Sequence, residues 1–185
     1  MSVKGWKRKR EKNKLAGNKI SKNTTLFLIV AFCGILLDLI TKWIVFAKFD
    51  DAGRYVIIKG FLGLVCSRNE GVVWGLAQGR NNILIFFCIA AIGAILWFYK
   101  SFDKSGLSSD IAFGMILSGA IGNLWDRIFH HHVRDFIDVH LGMGYHWPTF
   151  NIADSLICVG VGLILYETLL TRRQGSVLTQ KNVPK

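Results

Sequence analysis

The chain has 185 residues, of which 51% are hydrophobic and only 19% charged, with 13 Phe, 6 Trp and 2 Pro. That length suits one compact unit, and the composition excludes disordered, collagen-like and low-complexity classes, since a soluble domain carries about 25% charged residues. A net charge of +11 would suit nucleic acid if the cations were spread over a folded surface. Instead nine of the 23 lie within residues 1–22 and most others flank apolar runs, which is the pattern of a membrane protein.

Residues 1–22 are basic and lack apolar periodicity, so they read as a disordered cytoplasmic arm touching anionic lipid. No nucleic-acid partner is expected. The arm leads into an apolar run as a signal peptide would. That run is too long for a signal peptide, carries Asp38 and Lys42, and lacks a small-x-small cleavage site. It reads as an uncleaved helix. Four stretches approach the roughly 20 apolar residues needed to cross a bilayer: Thr24–Ala47, Ile83–Tyr99, Leu107–Trp125 and Ile152–Leu170. The expected fold is an all-α membrane protein, a bundle of four transmembrane helices over residues 23–171, followed by a cytoplasmic tail at 172–185.

The cations set the orientation. Those before the first span, Lys100 and Lys104 after the second, and Arg172, Arg173, Lys181 and Lys185 after the fourth make up 15 of the 23. They place both termini in the cytoplasm and the segments 48–82 and 126–151 outside. In the first outward segment, Tyr55–Gly60 and Phe61–Cys66 read as two short strands around Gly60. With the Gly-rich run from Asn69 to Gly75 they predict a small sheet on the membrane surface, able to hold an extended peptide by strand addition.

Cys33, Cys88 and Cys158 fall inside spans, Cys66 falls outside, and no disulfide framework or metal-ligand spacing accompanies them. His130, His131 and His132 are consecutive and so point in different directions; they read as a polar surface turn, and no metal site is assigned.

Charges at membrane depth cost a few kcal/mol each and need a reason. Asp38 and Lys42 are four apart on one helical face and can pair. Asn123, Asp126 and Arg127 share a face at the outer end of the third span, and Asn151 and Asp154 stand three apart at the outer start of the fourth. Between them, Val133–His140 supplies Asp135 and Asp138. These groups converge near the outer boundary, where substrate would come from lipid and water from outside. No nucleophile–base spacing for Ser or Thr is present. The surplus of carboxyl groups fits a pair sharing one proton, one acting as base toward water and the other as acid. The helix dipole favours an anion at Asp154. Its partner is either Asp126, unless that residue serves Arg127, or Asp135; Asp138 is taken to face water.

These motifs, Asp38–Lys42, Arg68–Gly75, Gly119–Arg127, Val133–Asp138 and Phe150–Ser155, occur in an order that resembles the bacterial lipoprotein signal peptidase family (signal peptidase II). The resemblance covers residues 24–170. It implies an aspartic endopeptidase of the inner membrane without cofactor, which cuts lipid-modified prolipoproteins just before a diacylglyceryl-modified cysteine. It also implies an extracytoplasmic β-cradle. Carried over, the catalytic aspartates match Asp135 and Asp154, and the supporting or substrate-binding positions match Asp38, Lys42, Asn69, Gly71, Asn123, Asp126, Arg127 and Asn151. Trp74 stands where the family has Phe. Arg134 stands where a small aliphatic residue is usual, and beside a catalytic carboxyl it is expected to lower that group's pKa.

Two other function classes compete. A proton or cation transporter would space carboxylates through the full bilayer thickness, and the inner halves of spans two to four read as free of them. A non-catalytic assembly subunit would use the polar groups only to join helices.

Overall fold

The computed structural model describes residues 22–49, 53–71, 79–101, 107–142 and 145–181. The basic arm before residue 22, and Trp74 with the rest of its Gly-rich stretch from residue 72 on, lie outside them. Four helices, α1 (Lys22–Phe49), α2 (Asn81–Ser101), α3 (Leu107–Phe129) and α4 (Ile152–Lys181), are joined by strands β1 (Tyr55–Ile58), β2 (Leu62–Asn69) and β3 (Val133–Val139). Each helix holds a segment long and apolar enough to span a bilayer: Thr24–Phe49, Asn81–Ser101, Leu107–Phe129 and Ile152–Leu169. Phe32, Trp43, Phe86, Phe87, Trp97 and Leu165 lie exposed on these helices, as side chains facing lipid should.

The third helix continues one turn past Trp125, so Asp126 and Arg127 are helical, as their spacing from Asn123 on one face requires. The His130 amide still bonds the Asp126 carbonyl at 2.7 Å. The helix stops only at His131, whose φ of 64° is the left-handed conformation that commonly ends helices. His130–His132 is therefore the terminating turn of α3.

α3 is the central helix, packed against α1, α2 and α4. In lipid, helices associate through close packing at small residues, because no hydrophobic drive separates helix from solvent. Gly119 and Gly122 supply such positions. A Cβ at Gly119 would strike the Ala153 carbonyl, and one at Gly122 would strike the Asp38 carboxylate.

At the far end of the bundle, Phe27 stacks on Tyr99 at 4.0 Å between ring centroids, and Phe113 meets Tyr99 edge-on at 5.6 Å. The halves of spans two to four away from the polar cluster, expected to be free of carboxylates, are not: Asp110 and Glu167 lie there. The Tyr99 hydroxyl donates to Asp110 at 3.0 Å, and the Ser108 and Ser109 hydroxyls donate to Glu167 at 2.7 Å each. Hydroxyls on neighbouring helices thus reach both groups.

The sheet has the order β1-β2-β3, antiparallel throughout. The two strands expected around Gly60 are β1 and β2; Gly60 takes the positive φ of 75° that their turn requires. β3 was not expected. Its run, Val-Arg-Asp-Phe-Ile-Asp-Val, sets a charge on each face and hides the alternation by which half-buried strands are recognised. The segment 145–150 folds back along β3: the Phe136 and Ile137 amides bond the Phe150 carbonyl at 3.0 and 2.8 Å, and the Trp147 amide bonds the Val139 carbonyl at 2.9 Å. This return brings Asn151, and hence the start of α4, beside Asp135.

Candidate active site

Asp38 and Lys42 are fully buried and pair as the spacing predicts, with Lys42 Nζ 2.8 Å from Asp38 Oδ2. The same ammonium reaches Asp126 Oδ2 at 3.1 Å and donates to Asn123 Oδ1 at 3.2 Å. The other oxygen of Asp38 accepts the Ala153 amide at 2.9 Å. Buried charges persist only when paired and hydrogen-bonded, and here one Lys–Asp pair ties α1 to both α3 and α4.

Asp126 does not pair with Arg127. It accepts Arg134 Nη2 at 2.8 Å, Arg134 Nε at 3.1 Å and the Arg134 amide at 3.0 Å, in addition to Lys42. With every lone pair committed, Asp126 is a structural anion. Arg127 turns instead to the Gly71 carbonyl at 3.0 Å, while its own carbonyl accepts Asn81 Nδ2 at 2.8 Å.

The expectation that Arg134 lowers the pKa of Asp135 is overturned. Successive strand residues point to opposite faces, so Arg134 leaves β3 toward Asp126 while Asp135 points the other way. Asp135 is 1% exposed. Burial pushes its carboxyl from 3.8 up to about 7; the Asn69 hydrogen bond opposes the shift and the charge of Asp154 adds to it. Its two oxygens accept from Asn69 Nδ2 at 2.9 Å and Asn151 Nδ2 at 2.7 Å. Asn69 is held in turn, its Oδ1 accepting the Gly71 amide at 3.1 Å.

Asp154 is fixed by the start of α4. Asn151 is the N-cap: its Oδ1 accepts the Asp154 amide at 3.0 Å, while Asp154 Oδ2 accepts the Asn151 amide at 3.2 Å. This reciprocal pair is a capping box. Asp154 Oδ1 accepts Asn123 Nδ2 at 2.8 Å, and Asn123 Oδ1 accepts Asn151 Nδ2 at 3.2 Å.

Asp38, Lys42, Asn69, Gly71, Asn123, Asp126, Arg127, Asn151, Asp135 and Asp154 thus lie together at one end of the bundle, contributed by α1, β2 and its end, α3, β3 and α4. Nine of them join one bonded set through Asn123, Asn151, Lys42 and Asn69, and Arg127 attaches through Gly71. Asp138 does not face water. It is 6% exposed, and His140 and Arg54 outweigh the cost of burial and hold its carboxyl below the usual range. Arg54 and His140 were missed by the sequence reading. The Asp138-x-His140 spacing, which puts two side chains on one face of a strand, was the available signal.

Asp135 and Asp154 are the two carboxyl groups here held by neutral amides and not by cations. Such an environment lets one carboxyl keep a proton near neutral pH beside another that accepts one. That suits water-mediated hydrolysis without a covalent intermediate.

Comparison with known proteins identifies the family. Residues 30–170 match the family described as Signal peptidase (SPase) II. A lipoprotein signal peptidase of Bacillus pumilus (strain SAFR-032) is 36% identical over 144 residues, covering 78% of this chain and 92% of that protein. Two solved structures, each described as a bacterial membrane enzyme studied by the in meso method, align with TM-scores of 0.71 and 0.69. They are 29% and 31% identical, covering 86% and 77% of this chain and 92% of each of theirs.

Proposed function

The chain belongs to the signal peptidase II family, proteases that remove signal peptides from prolipoproteins, and from that premise we propose that it is an aspartic endopeptidase whose catalytic pair is Asp135 and Asp154. The observation that carries this reading is Asn151. One side chain bonds Asp135 and caps the helix turn that presents Asp154, so the two carboxyls are held by a common residue.

In the proposed step a water molecule lies between the carboxyls and the scissile carbonyl. Asp154, which accepts hydrogen bonds from Asn123 and from the Asn151 amide, takes a proton from the water as its oxygen attacks. Asp135, protonated near neutral pH, gives its proton to the carbonyl oxygen. A neutral tetrahedral diol results. Asp154 then returns its proton to the leaving nitrogen as the C–N bond breaks, and Asp135 recovers a proton from the collapsing hydroxyl. The pair ends as it began. Each proton transfer of this kind contributes about 10²–10⁴-fold.

The cut falls just before a diacylglyceryl-modified cysteine, and the substrate enters sideways from the bilayer. Each buried CH₂ contributes about 0.8 kcal/mol, so two acyl chains confine the precursor to the membrane. Tyr55, Val56, Ile57, Ile58 and Phe61 lie exposed at the edge of the sheet, as suits a hairpin resting on lipid and aligning a peptide. The cation distribution places both termini in the cytoplasm and this site at the outer face of the inner membrane, with 1–22 a cytoplasmic arm and membrane lipid a partner.

The test is incubation of the purified protein, in bilayer discs, with lipidated and unlipidated prolipoprotein, followed by mass analysis. A single cut before the lipidated cysteine, lost in Asp135→Asn and in Asp154→Asn, is the expected result. Equal cleavage of both precursors would leave a general signal-peptide-degrading enzyme as the better account.

A further inference from the structure

A second cluster of ligating side chains sits on the sheet, on residues the hydrolytic step does not use. Asp138 near the end of β3, His140 two residues on and His146 on the returning segment offer one carboxylate oxygen and two ring nitrogens, all within 4.8 Å of one another. His140 Nε2 lies 2.8 Å and His146 Nδ1 3.7 Å from the Asp138 carboxylate, and the imidazoles meet at a tilt of 59° with their centroids 3.8 Å apart. Two ligands about 2.0–2.1 Å from one tetrahedral ion stand about 3.3 Å apart, a spacing these distances bracket.

The backbone builds this constellation. Asp138 and His140 share a face of the strand, and the bridge His140↔His146 fixes the return. Asp138 is buried, His140 half-buried and His146 exposed, so the cluster opens to solvent through His146. Asp135, an odd number of strand residues away, points to the opposite face.

We propose that Asp138, His140 and His146 form a binding site for a borderline divalent transition-metal ion of the zinc class. Two imidazoles and one carboxylate suit Zn²⁺, Co²⁺, Ni²⁺ or Cu²⁺ and not Mg²⁺ or Ca²⁺, which prefer all-oxygen shells. The site leaves a coordination position for water. Arg54 is its competitor: its guanidinium lies across Gly63, where an added Cβ would strike it, and bonds the same Asp138 oxygen as His140. Arg54 is partly exposed and can swing into solvent when a cation takes its place. A bound ion would pin His146 to the end of β3, and the residues that follow His146 lead directly to Phe150 and Asn151.

The experiment uses the full chain, free of any affinity tag, in detergent micelles at pH 7.5. Co²⁺ is titrated and followed by its visible absorption, and Zn²⁺ by competition and by thermal unfolding. One saturable equivalent is expected, with a rise in Tm. His140→Ala and His146→Ala should each weaken binding about tenfold or more. Arg54→Gln should tighten it several-fold, because it removes a competing positive charge. His131→Ala, on the turn after α3, should leave it unchanged. Absence of a saturable equivalent, or binding that survives both His140→Ala and His146→Ala, would overturn the proposal. So would tighter binding in wild type than in Arg54→Gln.

Discussion

The bundle buries carboxylates at both of its ends, and the two ends treat them differently. At the end away from the candidate site Asp110 meets a Tyr99 hydroxyl and Glu167 meets two serine hydroxyls. Each acid has its own donors, and aromatic rings pack beside them. At the other end five elements converge, cations serve Asp38 and Asp126, and the remaining acids take amide donors instead: Asn69 serves Asp135, Asn123 serves Asp154, and Asn151 serves both. A buried acid with private donors joins helices. Two acids joined through one neutral residue, Asn151, have no cation bonded to either among the described residues, and that difference marks the candidate site.

The largest expected effect separates the ends by activity. Asp135→Asn and Asp154→Asn should each lower cleavage by about 10²–10⁴-fold, whereas Asp110→Asn should leave it within a few-fold. Cleavage of a lipidated precursor, measured by mass analysis, checks all three. Retention of more than about a tenth of the rate in either of the first two variants would remove that residue from the pair.

Next comes stability. Lys42→Met strips the shared cation from Asp38 and Asp126 and should cost about 3–5 kcal/mol, as breaking a buried pair does. Tyr99→Phe removes one donor from Asp110 and should cost about 1–3 kcal/mol. Thermal unfolding in one detergent, read for both variants, ranks them; a larger loss at Tyr99 would reverse the comparison.

A third prediction uses pH. The folded Asp135 carboxyl titrates near 7 against 3.8 when exposed. A raised acid pKa stabilises the fold fully below the lower value and loses that contribution as pH rises through the upper one. Asp135→Asn should therefore gain thermal stability over wild type as pH climbs from about 4 to 7, with no further gain above. Wild-type cleavage should fall as pH rises through about 7, when the proposed acid loses its proton. A gap in Tm independent of pH would contradict the assignment.

The smallest effect is expected at His131→Ala, which should leave cleavage within a few-fold, since that residue only ends α3.

Much of this contrast was legible in the sequence. Span lengths, the Asp38–Lys42 pair and the clustering of polar residues at one end follow from hydropathy and helical spacing. The choice between Asp126 and Asp135 does not, because the groups that commit Asp126 are Lys42, far away along the chain, and Arg134, across a turn. Only the structure of β3 shows Arg134 and Asp135 leaving on opposite faces. Asp110 and Glu167 are less legible for a different reason: Asp110 lies in the first turn of α3 and Glu167 near the end of the fourth span, and their hydroxyl donors come from neighbouring helices. The burial of Asp138 depended on Arg54 and on a chain return that no local pattern announces.

The capping box of α4 has a consequence for how such a protein comes to life in a cell. The residue that begins the helix, Asn151, also orients Asp154 and reaches Asp135, and Asn123, itself held by Lys42, must already be in place to meet them. Under the proposed assignment, a chain still being threaded into the bilayer owns two separate acids and no paired ones. A hydrolase built this way needs no inhibitory propeptide: until the last helix docks it has nothing to cut with, and its neighbours in the membrane are safe from it while it is being made.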